Sequence, residues 1–409
     1  MLADPRHQSL EEKPVAVAPT TDIDMFATSD QRTRYEQYRR LRDLGAVVRL
    51  SNPDVYAVPR YGEVKAALDD HATFLSGQGV GFNADLNQLM GGTTLVSDGP
   101  PHDVMRSVVA APLQPGALRS RGEDIAQIAR DLVAKVLAQG EIDGVTALAQ
   151  AMPISVMPDL LGLPDRNREN LYPWAEGGFD LMGPVTERSA RGAEMIGQMV
   201  GFTHEIAANR EVAPGSPAAA VLEAADRGVI PPAGCPLAFF EFIGASMETT
   251  ATAIEHLLVE FAARPDQWAA LRAEPGLVAS TINELLRYQS PLRGMTRVTA
   301  RDTTLGGLTI PQGSRVWLLF ASANRDERKW ARPDEFDFRR NPLDHLAFGH
   351  GTHSCAGQGV ARLELHALIH ALLNLVERIE LTGPPVIAEN TMMNTYAEIP
   401  IRLVARETA

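Results

Sequence analysis

Ten consecutive residues, Phe348-Gly349-His350-Gly351-Thr352-His353-Ser354-Cys355-Ala356-Gly357, constrain this chain more than any other feature. They enclose one cysteine among three glycines, an aromatic and a histidine, and apolar residues at helical spacing begin directly behind it. A thiolate that ligates a metal needs a depressed pKa, and a loop opening onto a helix N-terminus supplies aligned backbone N–H groups and a positive dipole end. Glycines let the backbone fold closely around the sulfur and aim those donors at it. The plain alternative is a cysteine that serves only as a small buried hydrophobe. That alternative gives Gly349, Gly351, His353 and Gly357 no reason to stand at these offsets. Cys235, the only other cysteine, sits in Pro-Pro-Ala-Gly-Cys-Pro without such a frame and reads as structural.

The segment resembles the haem-binding signature of the cytochrome P450 family, Phe-Gly-x-Gly-x-His-x-Cys-x-Gly, with every fixed position present. The resemblance spans residues 35–405. It implies a mainly α fold with minor β, a single large haem domain over residues 35–409, and an N-terminal arm over residues 1–34. It also implies one haem b (iron protoporphyrin IX) with Cys355 as the metal ligand, and monooxygenase chemistry.

The rest of the chain is consistent with that class. Val47–Leu50 and Val55–Val58 read as short strands around the turn Ser51-Asn52-Pro53-Asp54, and short alternating pieces return at 305–310, 316–320 and 399–404. Ile125, Ile128, Leu132, Val133, Val136 and Leu137 recur at helical spacing before Gly140, as do apolar residues over 190–290 and 358–378. With 409 residues and 45% hydrophobic content, and no Gly/Ser-rich linker or repeat, one large domain is expected. Two cysteines make no disulfide framework, the first 24 residues carry no signal-peptide core, and no run of roughly 18 apolar residues occurs, so a soluble, cytoplasmic protein without a membrane span is expected. A net charge of −13 without a Lys/Arg cluster argues against nucleic acid as a partner.

Other family positions follow from the resemblance. Glu284-Leu285-Leu286-Arg287 is by itself an ordinary helix-surface pair. The stretch through Ala323-Asn324-Arg325-Asp326, Trp330, Pro333, Phe336-Asp337 and Arg340 gives it meaning, because it resembles the family's meander before the cysteine loop. A buried Glu284–Arg287–Arg340 network under the haem is implied. Haem propionates need cations or donors, and the matching positions are His102, Arg106, Arg297 and His353; His102 and Arg106 stand at i and i+4 on one helix. Phe348, Gly349 and Ala245 are implied to lie against the cofactor.

Ile243-Gly244-Ala245-Ser246-Met247-Glu248-Thr249-Thr250 resembles the family's oxygen-activating Ala/Gly-Gly-x-Asp/Glu-Thr-Thr, with Ser246 replacing the usual glycine. Glu248 lies 36 residues before Glu284, the family's spacing for the acid, which makes Thr249 the alcohol and this pair the catalytic proton relay. A shifted register, in which Glu248 takes the alcohol position, stays open. The implied substrate pocket is lined by the loop 79–96, residues 174–182, Glu241, Phe242, the stretch 292–296 with Met295, and the turn 392–396 with Thr395. Phe239 and Phe240 are expected to pack away from the haem, and Arg293 is the one cation near enough to hold a substrate carboxylate. Gln78-Gly79-Val80-Gly81-Phe82 resembles bacterial members that hydroxylate or demethylate benzoates.

The implied activity is O₂-dependent hydroxylation or O-demethylation of a small aromatic substrate, with electrons from an iron–sulfur ferredoxin and its reductase. Neither a Gly-x-Gly-x-x-Gly fingerprint nor a four-cysteine cluster is present to supply those electrons internally. Arg119, Arg121 and Arg362 are candidates for the docking surface. Two other readings remain: a peroxide-using enzyme of the same fold, and a haem sensor without turnover.

Overall fold

The computed structural model describes residues 17–27 and 30–407. Three helices form the centre. Glu248–Ala262 and Val278–Tyr288 bury nearly every side chain, charged ones included, and Gln358–Leu375 buries Leu365, Leu368 and Leu372 completely. Each such leucine stabilises the fold by about 1.5–3 kcal/mol. The helix Gly122–Leu137 lays Ile125, Ala129, Val133 and Val136, successive turns of one face, against Gln358–Leu375.

The largest sheet has six strands in the order Thr20–Thr21, Val48–Ser51, Asp54–Val58, Arg315–Leu318, Met295–Thr299 and Phe74–Leu75. Val48–Ser51 and Asp54–Val58 form the expected hairpin, with Val48 opposite Ala57. Thr303–Leu305 pairs with Leu308–Ile310, and Pro400–Ala405 pairs with Val376–Leu381. The chain is mainly α with minor β. Among the described residues no helix is long and apolar enough to cross a membrane.

Two boundaries differ from expectation. The arm was expected to end at residue 34, yet Asp30 caps a helix over Gln31–Leu44 by accepting from the Thr33 N–H at 2.9 Å. Thr20–Thr21 adds a parallel strand beside Arg49 and Leu50, and Met25 is buried against Tyr38 and Trp317, so residues 17–27 and 30–34 belong to the domain. Their apolar side chains complete a small second core. The helical periodicity over 358–378 also overruns: the helix ends at Leu375 and the chain turns into the strand Val376–Leu381, because β-branched Val376 and Ile379 pair with 401–405.

Candidate active site

Cys355 ends a tight loop directly before the helix Gln358–Leu375. Its N–H donates to Phe348 O at 2.8 Å, and Ser354 N–H donates to Gly351 O at 3.0 Å, which closes the loop on itself. Gly349 and Gly351 adopt left-handed φ values of 67° and 70°. A Cβ on Gly351 would stand 2.9 Å from Leu68 O, so glycine is required there twice over. Burial pushes the Cys355 thiol up, and the backbone N–H groups of Gly357 and Gln358, at the helix start, pull it back toward thiolate. The sulfur faces an apolar cavity bounded on the opposite side by Gly244, Ala245, Ser246 and Thr249.

One edge of this cavity gathers four cationic or donor groups with little to answer them. Arg297 is buried, and its one hydrogen bond among the described residues is to Thr296 O, 2.7 Å away on its own strand; burial pushes its guanidinium down to about 10. His102 is buried with Nε2 unpartnered, its ring 4.4 Å from that of His353. Burial and the neighbouring cations push His353 down to about 4, and Arg106 donates to Ser354 O. Two carboxylates face them, Asp103 Oδ1 at 2.9 Å from His102 Nδ1 and Asp98 at 3.7 Å from His353 Nε2. An unpartnered donor and a buried guanidinium at the rim fit two propionate carboxylates, and a thiol across a flat apolar slot fits the iron of haem b. Phe348, Gly349 and Ala245 line the same slot.

Behind the loop, Arg287 meets Glu284 at 2.7 and 2.9 Å, and Arg340 Nε reaches Glu284 Oε1 at 3.1 Å. Arg287 Nη1 also donates to Asn324 O and Pro333 O, both at 2.9 Å. The pair is fully buried, and the meander carbonyls complete its hydrogen bonding.

The helix opposite the cysteine runs as Gly234–Ser246 and Glu248–Ala262, broken at Met247 (φ −93°, ψ −67°). Thr249 Oγ1 donates at 3.0 Å to Ala245 O, the acceptor that an unbroken helix reserves for the Thr249 N–H, and such back-bonding bends helices. Thr249 lies on the cavity wall. Glu248 turns away from it toward Glu176, Asp180 and Arg188, with Oε2 unpartnered. Burial first, then Glu176 and Asp180, hold its carboxyl well above the usual carboxylate range. Arg188 joins this group through Asp180 at 3.0 Å and Glu176 at 3.4 Å.

The substrate side of the cavity is walled by Leu95, Phe179, Met182, Met199, Phe242 and Met295. Glu241 is its one acid: Thr94 N–H donates to Oε2 at 3.0 Å and the Thr94 hydroxyl donates to Oε1. Burial pushes the Glu241 carboxyl up, opposed by the Thr94 donors and by Arg106 and His102.

Three expectations about this wall fail. Arg293 does not reach the cavity; it is 1% exposed and donates to Tyr38 Oη at 2.7 Å, Met25 O at 2.6 Å and Thr391 O at 2.8 Å. The aromatic faces of Trp317, 5.5 Å away, and Phe26, 6.0 Å away, complete its surroundings. Thr395 and the rest of the turn 392–396 also lie off the cavity, because Thr395 donates to buried Glu255 at 2.8 Å. Phe240 lines the cavity where it was expected to pack away, whereas Phe239 is fully buried in the core.

Thr94 was not singled out, since its partner is 147 residues distant in the chain. Glu364 was missed as well. It is fully buried on the cysteine side of the cavity beside Thr250, and burial, opposed by Thr250, pushes it up to about 8. Its one sequence signal is a lone acid inside the apolar run Leu363-Glu364-Leu365. Of the proposed docking arginines, Arg119 and Arg121 are exposed, while Arg362 is tied to Asn283 at 2.5 Å and stacks on Phe348 at 5.0 Å.

The sequence model of the cytochrome P450 family matches residues 237–397. Cytochrome P450 CYP199A2 of Rhodopseudomonas palustris is 36% identical over 392 residues, covering 95% of each chain. Linalool 8-monooxygenase of Pseudomonas putida is 31% identical over 317 residues, covering 76% of this chain and 77% of that one. Among solved structures, Mycobacterium marinum cytochrome P450 CYP268A2 in complex with pseudoionone superposes with a TM-score of 0.86 at 27% identity, over 95% of this chain and all of the other.

Proposed function

The chain belongs to the cytochrome P450 family of haem b monooxygenases, and we propose that it hydroxylates or O-demethylates a small aromatic substrate with electrons from an iron–sulfur ferredoxin and its reductase. The observation that carries this reading is the cavity between Cys355 and Thr249, with its cationic edge and apolar far wall. Haem b, when bound, supplies the redox chemistry that splits O₂, placing one atom in the substrate and the other in water at the expense of two electrons and two protons.

The protein's own residues supply the rest. Cys355 would hold the iron as thiolate, a charge that the Gly357 and Gln358 N–H groups favour. Arg106, Arg297, His102 and His353 would hold the propionates of the bound group. Thr249, its hydroxyl hydrogen on Ala245 O, leaves its oxygen facing the cavity to accept a hydrogen bond, and Glu248, raised by burial and backed by Glu176, Asp180 and Arg188, would pass protons toward it from the surface. Phe179, Phe240 and Phe242 exclude water and favour a flat apolar ligand. Hydroxylation of a methoxy carbon on such a ligand gives a phenol and formaldehyde.

Electrons enter from the cysteine side. Gly359, one turn behind Cys355, packs against Leu113 and Leu118, which brings the exposed Arg119 and Arg121 beside that face for an acidic ferredoxin.

Purified protein should carry one haem and show the thiolate-type absorbance of its ferrous carbon monoxide complex. Cys355→Ser should lose it. A Cys355→Ser spectrum identical to that of the parent protein refutes the assignment.

A further inference from the structure

The wall of the cavity opposite Cys355 is apolar except for Thr93, Thr94, Glu241, Ser246, Thr249 and Thr250. Thr94 is committed to Glu241, Thr250 lies beside Glu364, and three of the others use up their hydrogens on backbone carbonyls. Thr93 donates to Met90 O at 2.7 Å, Ser246 to Ile243 O at 3.4 Å and Thr249 to Ala245 O at 3.0 Å. Glu241 is different. Thr94 fills one acceptor site on each of its oxygens, and a carboxylate has about four, so two remain beside the open cavity. Among the described residues no cation is hydrogen-bonded to it: Arg293 is committed to Tyr38, Met25 and Thr391, and Arg106 and His102 act on it only through space from the propionate edge.

We infer that Glu241, held by Thr94, is the polar anchor of the substrate pocket, so that the enzyme takes small aromatic molecules bearing a hydrogen-bond donor, a hydroxyl or N–H, and rejects carboxylates. The inference rests on the monooxygenase reading of the cavity. A donor group on the ligand completes the acceptor sites that Thr94 leaves open. A ligand carboxylate instead brings a second anion into an apolar space, where neither can be solvated. Thr94 belongs to the loop before the helix Gly99–Ala110, which also lines the cavity with Thr93 and Leu95, so a ligand that engages Glu241 also lies against that loop. Thr94 acts through Glu241 and is a positioning residue.

The test uses three ligands with one ring: 4-methoxybenzyl alcohol, 4-methoxybenzoate and methyl 4-methoxybenzoate. Each is titrated into the haem-loaded protein, with the low-to-high-spin shift and equilibrium dialysis both giving Kd. The alcohol should bind about tenfold more tightly than the methyl ester, as expected for one hydrogen bond to a charged acceptor, and the benzoate most weakly. Glu241→Gln, which keeps the shape and offers an N–H, should erase the alcohol's advantage and tighten the benzoate. A parent protein that binds the benzoate more tightly than the alcohol overturns the inference. So does a Glu241→Gln protein in which all three affinities change by one common factor, since that is the behaviour of a loop latch. The parent ranking needs no variant, so poor folding of Glu241→Gln leaves the inference refutable. The ferrous carbon monoxide spectrum of the same sample separates the two levels: without the thiolate signature the monooxygenase reading fails, and with it a reversed ranking removes Glu241 alone.

Discussion

Glu284 and Arg287, one turn apart on Val278–Tyr288, meet through two hydrogen bonds of 2.7 and 2.9 Å with neither side chain exposed to solvent. Arg287 also binds the carbonyls of Asn324 and Pro333, and Glu284 accepts from Arg340 and from the Asp337 N–H at 3.0 Å. The pair therefore fastens the meander, residues 323–340, to a central helix, and Asn324 Oδ1 accepts from the Leu346 N–H at 2.7 Å just before the cysteine loop. Glu284→Ala leaves a buried guanidinium without its counter-ion and should destabilise the protein by about 3–5 kcal/mol. Denaturant unfolding of the haem-loaded protein measures this, and haem content should fall in parallel because the loop loses its support.

Arg297 should behave in the opposite way in the two states. Without propionates its guanidinium is buried against one carbonyl, and burial has already pushed it down to about 10. Arg297→Leu should therefore leave the apoprotein at least as stable as the parent. The haem-loaded variant should lose haem to an acceptor apoprotein about tenfold faster, the weight of one charge-assisted hydrogen bond. Equal haem loss from parent and variant would place the propionates elsewhere.

The contrast between these residues and Arg293 shows what the sequence could and could not reveal. The cysteine loop is legible because it couples a chemical need to a fixed local spacing, the Glu284–Arg287 pair and the cationic edge only through the resemblance that the loop establishes, and the strands around Ser51–Asp54 by alternation. Arg293 looked like a substrate cation because only its proximity along the chain was visible. Its direction is set by Tyr38 and Met25, more than 250 residues away, and by an N-terminal segment that carries too little periodicity to declare itself folded. Phe240 shows the same limit: with a phenylalanine at each of 239, 240 and 242, the helix phase decides which rings face the cavity, and the break at Met247 shifts that phase.

Glu255 gives a pH signature independent of the haem site. It is fully buried, accepts from Thr395 Oγ1 at 2.8 Å and from the Tyr396 N–H at 2.9 Å, and burial pushes it up to about 8. A carboxyl whose folded pKa lies above its unfolded value binds more protons folded than unfolded between the two, so its contribution to stability falls as pH rises from about 4.5 to about 8. Glu255→Gln keeps an acceptor for both donors and removes the titration. The difference in unfolding free energy between variant and parent should therefore grow across that window, by at most about 1.4 kcal/mol per pH unit, and level off above it. A difference that stays constant from pH 5 to 8 would show Glu255 ionised throughout.

Thr249 lines the cavity and Glu248 does not, and that difference predicts different failures for their variants. Thr249 faces the cavity with its hydroxyl on Ala245 O, so Thr249→Ala removes the hydroxyl nearest the O₂ site and leaves the walls intact. Reductant should still be consumed, but most of it should leave as hydrogen peroxide, and product formed per reductant should fall severalfold. Glu248 faces Glu176, Asp180 and Arg188, and burial raises its carboxyl so that it can hold a proton for transfer. Glu248→Gln keeps the shape and ends that exchange, so turnover should slow by about 10²–10⁴-fold with ligand affinity nearly unchanged. In the shifted register, with Glu248 as the group beside O₂, Thr249→Ala would be nearly silent and Glu248→Gln would carry the loss of coupling. Product formed per reductant consumed, measured for both variants with one ligand, separates the two registers. Normal rate and normal coupling in both variants would remove the pair from proton delivery.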